Sequence, residues 1–542
     1  VPSYTLLIGL LAAPILGIAF TALLAGFDRW PRLASLSWLP AALGAGVALL
    51  AAGLLLNREF ETVIAHWGPV SFTGVPLALA GWSPGAGIMV AWTAAVLMHM
   101  LMLGNRPMQH NPTAQALLVA TLALVAFSGN LVTLLIGLGL TDIFNVYYAL
   151  RRRDNPRNAL IQFTLNGLSS ALLFVAITVH TAAGNGLTFP LVKLNPTATN
   201  VLALAVLLRL GAAPFRASHA WLPSMATAGS AVAGLLVLAR LPELGIPVLP
   251  LFFDALLVLS ALLTLGMGAL SGQPGDVRAS IITGTLYLAA ASIAAMPDSS
   301  AGVIATAAIA WILGSALISL EDTSDGRLGR RAGVLIRSIG ALVLIGMPLT
   351  VGLHGRAGIV SAWQADGLAG ALLIVGFTLA GGLLAYCLVH CVLRQDQETD
   401  ETLGRRDEVR QPYFLRASVA AVALALPALL FGLAPSLVGA GDLLAPIARM
   451  GILDWLVWLL SLGIGFALWQ WEPRWAGWID PRSEWLSATL SLRWFTGLFA
   501  GATGRIRAPF TALFDILESD GALVWAAIIA LLAILVSRPG GP

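Results

Sequence analysis

Ala341-Leu-Val-Leu-Ile-Gly-Met-Pro-Leu-Thr-Val-Gly-Leu-His-Gly-Arg356 lies inside an apolar run, residues 332–366, that is too long for one straight membrane span. Pro348 cannot donate to a helical ladder, and Gly352 and Gly355 weaken it further. The run reads as a broken helix. A break at mid-membrane depth frees backbone carbonyls and dipole ends, where ions or waters find partners.

Similar apolar stretches recur along the chain. They fall near 4–27, 33–56, 86–104, 112–128, 130–150, 158–182, 199–213, 224–241, 248–271, 280–296, 300–319, 369–393, 413–437, 452–472 and 520–538. With the broken run they make about sixteen segments, each on the scale of a membrane span. Backbone groups in lipid must bond within their own segment, so runs of this length favour helices over barrels. The chain is 58% hydrophobic and only 11% charged over 542 residues, against ~25% charged in soluble proteins. No aqueous fold of this length hides so much apolar surface. Val1 to Phe27 lacks a basic leading region and reads as the first membrane helix, not a secretory signal. The net charge of +3 is spread among loops and gives no sign of nucleic acid binding. Cys387 and Cys391, one turn apart in an apolar run, read as buried small groups. No metal-spaced Cys/His set stands in the sequence.

Basic residues in short loops orient the bundle. Arg151, Arg152, Arg153 and Arg157 mark the loop after the fifth helix as cytoplasmic. Counting back places the N-terminus outside. The alternation then puts Arg29/Arg32, Arg106, Arg216, Arg278, Arg327/Arg330/Arg331 and the 394–412 loop inside as well. Residues 473–519 mix Trp475, Trp478, Trp485 and Trp494 with Arg474, Arg482, Arg493, Arg505 and Arg507. That mixture suits an amphipathic element lying in the membrane interface.

Two motifs carry a family resemblance. One is Ala126-Phe-Ser-Gly-Asn-Leu-Val-Thr-Leu-Leu-Ile-Gly-Leu-Gly-Leu140. The other is Leu207-Leu-Arg-Leu-Gly-Ala-Ala-Pro-Phe215 followed by His219-Ala-Trp-Leu-Pro223. Together with Asp276-Val-Arg-Ala-Ser-Ile-Ile282 and the 346–356 break, they resemble the antiporter-like membrane subunits of the complex I superfamily. That group spans NADH:quinone oxidoreductase, membrane-bound hydrogenases and Mrp cation/proton antiporters. The resemblance covers roughly residues 80–440. It implies an all-α polytopic bundle of about 14 core transmembrane helices in two inverted five-helix repeats. Each repeat would hold a broken helix, one near Pro214 and one near Pro348. The division implied is 1–111 for the N-terminal helices, 112–247 and 248–393 for the repeats, and 394–472 for the C-terminal core. An in-plane segment at 473–519 and a final helix within 520–542 follow.

The resemblance also implies a proton track: a glutamate on the fifth helix, a lysine on the seventh, histidine or lysine on the eighth to eleventh, and a lysine or glutamate on the twelfth. In this chain the matching positions read Gly139, Arg209, Val237, Ala310 and Gly314, and Arg356. Asp142 stands one turn from Gly139 on the same helix face. Arginine holds its proton in proteins, so it pairs with a carboxylate without passing a proton on. Asp142 with Arg209 can therefore be a fixed ion pair, an element gated by a neighbouring subunit, or a working proton site. Arg356 reads as pairing or snorkelling at the helix break. His219 and Arg216 fall in the cytoplasmic turn after the seventh helix, as a proton entry or a contact to a soluble partner. Glu243 falls near the outer end of the eighth. His99, His180 and His390 read as satisfied or interfacial histidines.

The leading expectation is an antiporter-like membrane subunit of a multisubunit energy-converting complex, with a degenerate relay and no cofactor in this chain. Its partners would be other membrane subunits and lipid. Redox chemistry would lie in other, partly soluble, subunits. The alternatives are an active proton or cation translocator and the membrane subunit of an inorganic-carbon uptake system. On family grounds the setting expected is the cytoplasmic membrane of a prokaryote.

Overall fold

The computed structural model describes residues 3–25, 38–56, 58, 61–66, 76–103, 112–151, 156–182, 194–212, 228–240, 249–271, 273–296, 301–319, 327–393 and 411–479. Among these, helices α1 (Ser3–Ala25) and α2 (Leu39–Leu55) precede a short hairpin, β1 (Glu61–His66) and β2 (Pro76–Ala80). Then come α3 (Ser83–Leu103), α4 (Pro112–Ala126), α5 (Leu131–Arg151), α6 (Pro156–Ala182), α7 (Pro196–Leu210) and α8 (Gly229–Ala239). The second half holds α9 (Leu251–Leu270), α10 (Pro274–Ala295), α11 (Ala301–Ser319), α12 (Arg327–Ile345), α13 (Val351–His354) and α14 (Ile359–Gln364). The described residues end with α15 (Gly367–Leu393), α16 (Gln411–Leu433), α17 (Ala445–Arg449) and α18 (Ile452–Ile479).

Eight of the described helices are apolar and at least 18 residues long. At ~1.5 Å per residue, 18 residues reach about 27 Å, close to the ~30 Å hydrocarbon thickness of a bilayer. The chain is a multi-pass membrane protein. The apolar side chains divide by position. Trp92, Trp311, Trp363 and Phe253 are interior, whereas Leu368, Leu372, Leu456 and Phe466 point outward. Outward leucines at this density suit lipid as the surrounding solvent. The most enclosed span is α11, with 94% of its apolar window buried, whereas α18 has 17% and lies at the rim. Small residues set the closest approaches. Gly17 of α1 faces the Pro40 backbone and Gly44 of α2 faces the Ala13 backbone, as expected where helices pack by shape and not by hydrophobic exclusion.

The break expected in 332–366 is present. Helix α12 stops at Ile345, and Gly346 takes φ +74°. Met347 N–H then reaches back to Leu342 O at 3.0 Å and Gly346 N–H to Val343 O at 3.2 Å. This is the Schellman ending that a left-handed glycine permits. Leu349 also holds a left-handed φ of +69°, a conformation that costs a branched side chain free energy. Helix α7 ends the same way: Gly211 has φ +66°, and Ala212 N–H bonds Leu207 O at 3.0 Å. Pro214, the expected site of the first break, lies outside the described residues.

One element lies beyond the helical expectation. Strands β1 and β2 pair antiparallel with a bulge between Val63 and Ala65. The hairpin is tied to the turn between α4 and α5, through Gly129 N–H to Ala78 O at 2.7 Å and Ala80 N–H to Phe127 O at 2.8 Å. At the other end, α18 runs through Pro473 to Ile479, past the expected start of the in-plane segment. The rest of that segment and the final helix lie outside the described residues.

Gly352 packs directly on the Val343 carbonyl, so a methyl group there meets backbone. Gly352→Ala should cost about 1–3 kcal/mol, read as a lower unfolding midpoint of the detergent-solubilised chain. Gly463→Ala, in α18 with open space around it, should leave the midpoint unchanged or raise it slightly.

Candidate functional site

Three helices converge on one ion pair. Asp142 comes from α5, Ser169 and Ser170 from α6, and Arg209 from the last turn of α7. Arg209 is 1% exposed and Asp142 3%. The guanidinium grips both carboxylate oxygens: Nη1 donates to Oδ1 at 2.8 Å and Nη2 to Oδ2 at 2.9 Å. Nη2 also donates to Ser170 Oγ at 2.8 Å, and Ser170 Oγ donates to Asp142 Oδ2 at 3.1 Å. Nε donates to Ser169 Oγ at 3.3 Å, and that hydroxyl donates to Ala205 O at 2.7 Å. The fork geometry is the strong, planar form of an Arg–carboxylate contact. Burying two charges costs several kcal/mol per ion unless each finds hydrogen bonds as well as its partner. Here the two serine hydroxyls supply them at Nε, Nη2 and Oδ2.

Beside it is a looser polar layer. Ser230, in the first turn of α8, donates to Asn166 Oδ1 at 2.9 Å. The amide of Asn145 lies against Gly229. Asn166 Nδ2 and both polar atoms of the buried Asn145 and Gln115 have no hydrogen-bond partner among the described residues.

Arg356 meets no carboxylate among the described residues. It folds back over the broken helix, with Nη2 donating to Leu344 O at 2.8 Å and Nη1 directed at Ile345 O, 3.4 Å away. Trp458 Nε1–H shares Ile345 O at 3.1 Å. These are last-turn carbonyls of α12, the negative end of its dipole. The arginine thus closes the helix end that the break opened, and its guanidinium lies 5.9 Å from the Phe377 ring. A cavity of about 20 Å³ adjoins it, lined by Thr285, Ser292, Ala310, Trp311 and Gly352 among others. That volume suits a single water molecule.

Val237, Ala310 and Gly314 carry no titratable side chain. Val237 is 2% exposed and Ala310 7%, and Leu344 fills the space at Gly314. Gly139 faces open space. Cys387 and Cys391 are buried and form no disulfide. His390 Nε2 sits 3.9 Å from Glu472 Oε1. His219 and Glu243 lie outside the described residues. Among the described residues no three metal-ligating side chains converge.

Sequence reasoning missed several buried polar groups. His354 Nε2 lies 3.2 Å from Gly432 O. Arg240 donates to Ala126 O at 2.6 Å and stacks 4.5 Å over Trp82. Asp454 accepts from Val360 N–H at 3.2 Å and Gly451 N–H at 3.0 Å. Asp254 accepts from Trp363 Nε1–H at 3.0 Å. The signal available for each was a charged or imidazole side chain within or at the edge of an apolar run.

Arg209→Met should strand Asp142 in a dry site and cost roughly 3–5 kcal/mol. The double variant Asp142→Leu/Arg209→Met should recover most of that loss. A double-mutant cycle on thermal midpoints in detergent gives the coupling directly.

No family model matches the chain. Two curated relatives, both "NADH-ubiquinone oxidoreductase chain 2", match part of it. The protein from Peropteryx kappleri is 30% identical over 130 residues, 23% of this chain and 36% of the relative. That from Elephas maximus is 28% identical over 139 residues, 24% of this chain and 38% of the relative. The matched stretch thus spans little more than a third of those relatives' length. Among solved structures, a chain of the Mrp complex from Dietzia sp. DQ12-45-1b superposes with TM-score 0.68 at 17% identity, over 98% of this chain and 64% of that one. A chain of the archaeal membrane-bound sulfane sulfur reductase gives 0.64 at 14% identity, covering 98% of this chain and all of that one. A chain of respiratory complex I from Thermus thermophilus gives 0.57 at 18%, covering 80% of this chain and all of that one. The fold of this chain is thus that of the matched chains in the Mrp complex, the sulfane sulfur reductase and respiratory complex I.

Proposed function

We propose that the chain is an antiporter-like membrane subunit of a multisubunit energy-converting complex, and that its Asp142–Arg209 pair is fixed architecture, not a proton relay. The observation that carries this reading is the hydrogen-bond network around the pair. Both carboxylate oxygens are held by a guanidinium that keeps its proton, and two serines take two more of its N–H groups. The hydrocarbon at Val237 and Gly314 separates the two halves where a relay would need titratable groups. Other membrane subunits are its partners, with redox chemistry and its cofactors in other chains. A prokaryotic cytoplasmic membrane and an outside N-terminus complete the reading.

A second reading keeps the chain as an active proton or cation translocator. In its favour stand the amides of Gln115 and Asn145 and the Nδ2 of Asn166, which have no hydrogen-bond partner among the described residues, since buried polar groups of this kind are commonly served by ordered water.

Asp142→Asn in the intact complex separates the two. Fixed architecture predicts weakened assembly, with ion movement falling only in proportion to the complex that remains. Asp142→Leu/Arg209→Met should then restore both together. A fully assembled Asp142→Asn complex with ion movement abolished would overturn the reading and establish the second.

A further inference from the structure

Asp142 is held in a two-oxygen contact with the Arg209 guanidinium. Another buried carboxyl is differently placed. Asp254 stands in the first turn of α9 and is 5% exposed. Its Oδ2 accepts the indole N–H of Trp363, from α14, at 3.0 Å. Its Oδ1 is out of contact with solvent and has no hydrogen-bond partner among the described residues. No cation pairs with it among those residues either.

The charge shown to act on it is also negative. Asp366, exposed at the turn into α15, acts on it electrostatically. Asp454, from the first turn of α18, holds the backbone of α14 at Val360. Helix α15 runs beside α9 in the same direction, with Gly376 against Val258 and Cys387 against Leu265 O. Its titratable groups, Tyr386, Cys387, His390 and Cys391, therefore lie at the far end, as does Glu472 of α18. On α10, Asp276 and Arg278 also sit at the far end, and Tyr287 is bound to Gly211 O. The last turn of α7 carries Arg209, which is engaged with Asp142. An ionised Asp254 is thus a buried negative charge with no cation partner among the described residues and with Asp366 acting against it. A proton on Oδ1 removes that charge while Oδ2 keeps its bond to Trp363.

We propose that Asp254 is a proton-exchange site in the second half of the bundle, closed by the Trp363 indole and linked through Phe377 to the helix break at Arg356. The linkage is a packed row. Trp363 meets Phe377 edge-on at 5.6 Å, and Phe377 faces the Arg356 guanidinium at 5.9 Å. Helix α14 has only six residues and lies between the break and α15, so a shift at the break moves the tryptophan that covers the carboxyl. The step is simple: the Oδ1 carboxylate takes a proton from water or hydronium, and deprotonation returns it. No electrons move.

Infrared spectroscopy of the full chain in its complex, titrated in heavy water, tests this. A carboxyl C=O stretch should appear on lowering the pH. It should be absent in Asp254→Asn, retained but displaced in Asp254→Glu, and shifted to higher frequency in Trp363→Phe, where the donor to Oδ2 is gone. Asp366→Asn, at the exposed turn into α15, should keep the band. Superimposable spectra for wild type and Asp254→Asn at every pH would overturn the proposal. If Asp254→Asn does not fold, a band unmoved in Asp254→Glu overturns it equally. The band reports protonation itself, so its outcome is independent of whether Asp142 serves architecture or transport.

Discussion

A guanidinium keeps its charge at any depth in a membrane, so every one this chain buries has to be met by oxygen or by an aromatic face. Arg209, Arg356 and Arg240 meet that demand in different ways. Arg209 takes a carboxylate and two hydroxyls. Arg356 takes the exposed carbonyls at the end of α12. Arg240 takes one carbonyl of α4 and the ring of Trp82. Each solution fixes helices relative to one another: α5, α6 and α7 in the first case, α12 and α15 in the second, α8, α4 and the start of α3 in the third. The bundle's interior geometry follows from these three attachments more than from its leucines, which would pack comparably well against lipid.

Much of this was legible in the sequence. The apolar runs located the helices because a membrane span has a required length and little tolerance for charge. The broken run at 332–366 was legible because Pro348 and the glycines around it cannot continue a ladder. The pairing of Asp142 with Arg209 was legible as one option among three, because an intramembrane acid and an intramembrane base seldom stay apart. The serines were not. Ser169 and Ser170 read as ordinary helix residues, and only the crossing of α6 over α7 brings their hydroxyls to the guanidinium.

Other features were hidden for a common reason: they depend on what backbone oxygens need, which composition does not reveal. Arg356 was expected to pair or snorkel, yet it caps a helix end whose two free carbonyls exist only because Gly346 turns the chain. Asp254 was passed over because one acid beside Phe252 and Phe253 looks like the edge of a span. Its significance rests on Trp363, about a hundred residues later in the chain. The β1–β2 hairpin was missed because its residues alternate only weakly and the stretch between apolar runs reads as a loop.

That hairpin has a mechanical consequence. Its second strand is bonded to the α4–α5 turn at Phe127 and Gly129, and Arg240 at the end of α8 clamps the neighbouring Ala126 carbonyl while stacking on Trp82, two residues past the strand. A force applied to this small ribbon is therefore felt at the tip of α8 through a few short contacts, bypassing the greasy perimeter. The ribbon is a lever whose fulcrum is the Phe127–Gly129 corner.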